Sequence, residues 1–89
     1  PDTDNISTAV LQKLNIGEAT DFLFFSVFDN LMLAKEYKAA GIAIRACRER
    51  YPSNINCWVQ SGEHALALKD TQLAKEFFSK AYALADEQK

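Results

Sequence analysis

The sequence predicts an all-α protein, and three observations carry that prediction. Apolar residues recur at helical spacing through most of the 89 residues. The chain holds only three glycines and two prolines, and no Asn-Gly or Asp-Gly dipeptide of the kind that closes a hairpin. No segment alternates apolar and polar residues as a half-buried strand does.

The elements follow in order. Residues 1–5 are polar and form a tail. Ile6, Val10, Leu11 and Leu14 then share a helical face, with Asn5 or Ser7 as cap and Gly17 as stop. Thr20 caps a second helix that runs to about Ala34. Its stretch Phe22-Leu23-Phe24-Phe25-Ser26-Val27-Phe28 is apolar nearly all round, which a buried strand would also be. Helix is preferred because the pattern continues through Leu31, Met32 and Leu33 without a turn signal. Such a helix is expected to be covered on every side.

Glu36 opens a third helix, with Tyr37, Ala40, Ile44 and Cys47 on one face. Tyr51-Pro52 ends it, because proline disfavours a helical residue before it. Ser53 or Asn54 caps a fourth helix carrying Trp58, Gly62, Ala65 and Leu66. Asp70 caps a fifth, carrying Leu73, Ala74, Phe77, Phe78, Ala81 and Leu84. The reading is about five helices in three blocks: a tail and short capping helix over 1–19, one helix pair over 20–52 and a second over 53–89.

Composition narrows the function. With 48% hydrophobic residues, the chain is apolar for its length. A domain this small buries only about 60–65% of the surface its unfolded chain exposes, so sharing apolar surface with a partner is expected. The formal charge is −2, from 10 basic and 12 acidic residues. Apart from Arg45, Arg48 and Arg50, read as a solvated helix face that could alternatively dock an acidic partner, the cations are scattered. That argues against nucleic acid, which needs a concentrated positive face. No run approaches the roughly 18 apolar residues of a membrane span. The start Pro1-Asp2-Thr3-Asp4 is unlike a signal peptide. Cys47 and Cys57 read as two small buried hydrophobes rather than a disulfide framework, which suits a reducing, cytoplasmic setting.

The second half carries a spaced motif. Trp58, Ser61, Gly62 and Ala65 are followed by Ala74, Phe78 and Ala81. This order matches a helix-pair repeat with a period of about 34 residues. Small residues let two helices approach, and large ones fill the space beside the crossing. Moving back one period gives Phe24, Val27, Phe28 and Leu31, then Ala40, Ile44 and Cys47, and Pro52 falls where the motif has proline.

On these residues the chain resembles the tetratricopeptide repeat (TPR) family over residues 21–88, as an α-solenoid fragment of antiparallel helix-turn-helix repeats. Phe28 departs from the pattern, because the family has a small residue there. Either the first helix pair is opened or the register slips near Lys35.

The resemblance implies a groove that binds a peptide or helix. Carried over position by position, it is lined by Phe22, Phe25, Asp29, Met32 and Leu33, and by Asn56, Val59, Gln60, Glu63 and Ala67. One TPR subtype grips the acidic tail of heat-shock chaperones with Lys, Asn and Arg. The matching positions here are Phe25, Asp29, Val59 and Glu63, which would repel a carboxylate. The implied ligand is an amphipathic helix with apolar anchors and one or two cations. Phe25 and Met32 are the expected anchors, unless the chain's own first helix covers part of this surface. In length, acidity and groove the chain is also similar to small TPR-like chaperones of bacterial type III secretion systems. These shield the apolar helix of a needle or translocator subunit, sometimes with a second small helical partner.

No catalytic or cofactor motif appears. His64 is the only histidine, and it forms no metal-ligand spacing with Cys47 or Cys57. The chain has no Gly-rich phosphate loop and no motif that would set up a nucleophile. The expectation is a protein-holding module without enzyme activity, cofactor or metal. The alternative is a self-assembling or scaffold segment of a larger repeat protein.

Overall fold

The computed structural model describes residues 21–89, and over these the chain is four helices with no strand: α1 (Asp21–Leu33), α2 (Tyr37–Arg50), α3 (Ile55–Ala67) and α4 (Thr71–Glu87). The expected tail and first helix over 1–19, with Ile6, Val10, Leu11 and Leu14, lie outside the described residues. Each helix packs on the next along the chain, and α1 also touches α3.

The caps follow from the sequence. The Asn54 side chain accepts from the Asn56 amide at 3.0 Å, and the Asp70 carboxylate accepts from the Leu73 amide at 3.1 Å. Glu36 stands at the cap of α2 without a side-chain bond. The α1–α2 and α3–α4 turns are the same structure. Lys35 and Lys69 both adopt positive φ, at 59° and 62°. The Lys35 amide donates to Met32 O at 3.0 Å and the Glu36 amide to Leu31 O at 2.8 Å. The Lys69 amide donates to Leu66 O and the Asp70 amide to Ala65 O, both at 2.9 Å. This is the Schellman closure of a helix end, with lysine where glycine is usual.

Both turns, and the bounds of α1 and α3, recur at the 34-residue spacing of the sequence motif. The register therefore does not slip near Lys35. A left-handed conformation strains a side-chain-bearing residue. Lys35→Gly is expected to stabilise the fold by about 0.5–1 kcal/mol, after the entropy of glycine in the unfolded chain is counted. The check is a higher urea midpoint at unchanged slope.

The two helix pairs solve their packing in opposite ways. In the second, Gly62 is the small partner. A Cβ built there would overlap the Phe78 ring, with Cζ at 2.6 Å and Cδ1 at 2.7 Å. In the first, the large residues are on α1 and the small ones on α2. Phe24 and Phe28 are buried in one cluster with Ala39, Ala40, Ala43 and Ile44. Phe28 at the small-residue position thus needs no opened crossing, because α2 supplies the alanines that make room. Its ring edge meets His64, with centroids 6.3 Å apart.

The fold leaves α1 less covered than its composition suggests. Phe24 and Phe28 are buried, yet Phe22 is 77% exposed and Leu33 83%.

Candidate functional surface

Several contacts join the two helix pairs. Cys47 of α2 and Cys57 of α3 form a disulfide, with Cα atoms 5.6 Å apart. The expectation of two unpaired thiols is corrected: both are fully buried as expected, but the helix crossing brings them to bonding distance. With the cysteines paired, they no longer argue for a reducing compartment.

Next to the disulfide, the Arg48 guanidinium donates to Ser61 Oγ, which itself donates to Cys57 O at 2.7 Å. Arg48 also lies over the Phe77 ring at 4.5 Å and the Trp58 ring at 5.8 Å. Its pKa is lowered, first by burial and then by the nearby charge of Arg45, with Glu49 opposing. The expected solvated arginine face is therefore corrected at Arg48, whose planar group is sandwiched between helices. Arg45 does remain on the surface, paired with Glu49 at 2.9 Å.

Third, the His64 Nε2 lies 2.7 Å from Tyr37 O. A carbonyl can only accept, so Nε2 carries the proton. Gly41 leaves room for this ring, since a Cβ there would stand 2.9 Å from Cε1. The three residues weighed as metal ligands thus have other work: His64 holds a carbonyl and the two cysteines hold each other. Finally, the Asn54 side chain donates to Asp21 Oδ2 at 2.8 Å, tying the starts of α1 and α3.

These contacts set α1 beside α3, and all ten residues of the expected groove are on those two helices. Phe22, Asp29 and Leu33 form one exposed stripe on α1 with Ser26. Asn56, Gln60, Glu63 and Ala67 form the equivalent stripe on α3. The stripes are bridged by Gln60 Nε2 donating to Asp29 Oδ1 at 3.2 Å. A carboxylate can only accept, so the amide orientation is fixed and Gln60 Oε1 points elsewhere, buried and without a hydrogen-bond partner.

The two residues expected to anchor a ligand are placed differently. Phe25 and Met32 are half-buried and pack on the core. The fully presented apolar side chains are Phe22 and Leu33 instead. Val59 lies off the stripe. It lines an open apolar groove of about 280 Å³ between α3 and α4, with Ile55, Phe78, Ala81, Tyr82 and Ala85.

No family model, curated protein or solved structure matches the chain. Its function is therefore argued from the surface itself. Among the described residues no helix is long and apolar enough to cross a membrane, and no three of His, Cys, Asp and Glu gather as a metal site would require.

The sequence reading missed the Arg48–Ser61 link, the disulfide and the α3–α4 groove. One signal was available. Shifted by the 34-residue period, Cys47 meets Ala81, Arg48 meets Tyr82 and Cys57 meets Leu23. Pairable residues on only one side of each comparison mark where the two repeats touch.

Proposed function

We propose that this chain is a TPR-like module that holds an amphipathic helix of another protein across the exposed stripes of α1 and α3. One observation carries the reading: Phe22 and Leu33 stand in water at the two ends of the α1 stripe, with Asp29 between them. The repeated turn and helix bounds support the TPR-like part of the reading.

The geometry describes the ligand. Phe22 and Leu33 are eleven residues apart on one helix face, about 16 Å along its axis. The partner helix would place two apolar side chains about three turns apart, with a lysine or arginine between them. That cation would face Asp29 and Glu63. Shielding such a helix is the task of a chaperone or adaptor, and an exported needle or translocator subunit has the chemistry to be its client. The reading involves no catalysis or cofactor, and it places the work in the cytoplasm only if the Cys47–Cys57 pair is maintained there.

The test is a labelled helical peptide with leucines eleven residues apart and lysines between, titrated by fluorescence anisotropy. Because both side chains are exposed, Phe22→Ser with Leu33→Ser should leave helicity unchanged and shift stability by less than about 0.5 kcal/mol. Peptide affinity should fall at least tenfold, and Glu63→Lys should also weaken binding, most at low salt. Equal affinity in wild type and double variant would remove this face from the proposal.

A further inference from the structure

We propose that a second copy of this chain stacks head to tail on the open groove between α3 and α4, using the face of α1 that carries Leu23, Val27 and Asn30. This surface is separate from the exposed stripes of α1 and α3.

The argument begins with the interface inside the molecule. The first helix pair receives α3 through Cys47, Arg48, Tyr37 and Asp21. On α3 the inserted face is Cys57, Ser61 and His64, at helical spacing. Because the chain repeats at a 34-residue period, each half of this interface has a second version.

The receiving half recurs on the second pair. Tyr37 has Thr71 as its counterpart, outside the groove; Asp21, Cys47 and Arg48, with their core neighbours Phe25, Ile44 and Tyr51, become Ile55, Ala81 and Tyr82, with Val59, Phe78 and Ala85. Those six residues are the lining of the open groove. The inserting half recurs on α1, where Cys57, Ser61 and His64 become Leu23, Val27 and Asn30. Leu23 is 44% exposed, Val27 is half-buried and Asn30 is exposed.

The chemistry of the two open halves matches. Inside the molecule, the junction uses the charges of Asp21 and Arg48. At the open groove these positions are Ile55 and Tyr82, the latter 80% exposed. On α1, two of the three inserting positions are Leu23 and Val27 rather than cysteine and serine. Apolar lining thus meets apolar insert on both sides. The end of α4 also differs from the end of α2. The α2–α3 turn follows directly on Arg50 and contains Pro52, whereas α4 continues as helix three residues beyond the equivalent position, to Glu87. The contact is heterologous: it joins the groove of one copy to the α1 face of the next, and further copies can add in the same way.

The experiment uses the full chain in sedimentation velocity over a concentration series. Wild type should gain mass with concentration. Tyr82→Glu destroys the groove and Leu23→Glu destroys the insert, and each variant alone should be monomeric. Mixed, they should form a one-to-one dimer, because each retains the half the other lacks. If Leu23→Glu disturbs folding by circular dichroism, Asn30→Glu at the neighbouring exposed position replaces it. A second measurement does not depend on affinity. Leu23→Cys and Ala81→Cys occupy positions equivalent to Cys57 and Cys47, so mixing the two chains under mild oxidation should give a covalent heterodimer on a non-reducing gel. Leu23→Cys with Ser79→Cys should not.

A wild type that stays monomeric overturns the proposal, whether residues 1–20 or a different protein fills the groove. Assembly that survives Tyr82→Glu overturns it as well. So does a mixture of Tyr82→Glu and Leu23→Glu chains that fails to associate, since that outcome belongs to a symmetric contact.

Discussion

Phe28→Ala is expected to destabilise the fold by about 3–5 kcal/mol, close to the whole stability of a domain this size. Phe28 is 1% exposed, and its ring fills the space above Ala39, Ala40 and Ala43. Alanine there leaves a cavity against three side chains that are themselves too small to close it. It also removes the ring edge that meets His64, the residue that reaches across to Tyr37 O. Phe28→Leu keeps most of the volume and should cost less than about 1.5 kcal/mol. Urea denaturation followed by circular dichroism measures both. The family pattern alone predicts the opposite sign, because it has a small residue at this position and an alanine would relieve the crossing. A stable or stabilised Phe28→Ala would therefore show that the helices of the first pair are not packed as described.

That contrast shows how far the sequence could be read. Helix identity was legible because each boundary has a local chemical cause: Asn54 and Asp70 cap, and Pro52 stops. The two helix pairs were legible because the spacing of Trp58, Gly62, Ala74 and Phe78 is a packing requirement written along one chain. The exchange of large and small residues at Phe28 was harder to read, because a crossing constrains the sum of two side chains and a motif names only one of them. The compensating signal was Ala39, Ala40 and Ala43 on the facing helix. The placement of Phe25 and Met32 on the core, with Phe22 and Leu33 presented to solvent, was hard to read for a related reason. α1 is apolar on nearly every side, so periodicity could not say which side α3 would cover. Arg48 read as surface because arginine usually is, and its burial depends on Trp58 and Phe77 arriving from two other helices.

Reducing the Cys47–Cys57 disulfide is expected to cost about 2–3 kcal/mol, the entropy of closing a loop of about eleven residues in the unfolded chain. For a domain of this length that corresponds to a fall in Tm of roughly 10–20 °C. The bond joins α2 to α3 beside the Arg48–Ser61 link, so it staples the two helix pairs rather than either pair internally. Reduction should therefore loosen the junction first. Amide exchange should rise at the ends of α2 and α3 nearest the bond, while the Gly62–Phe78 contact within the second pair persists. Cys47→Ala with Cys57→Ala should reproduce the stability loss without a reductant, because alanine fits a space that already holds a small side chain. Thermal melts of oxidised, reduced and doubly substituted chains give the comparison, with thiol titration under denaturing conditions reporting the pairing. Two free thiols in the chain as purified without reductant would show that the bond does not form. Equal melts for all three would show that the arginine stack and the His64 contact hold the junction without it. A clear difference would make the redox poise of the surroundings a control on how firmly α1 is held beside α3, and so on the surface proposed to hold a partner helix.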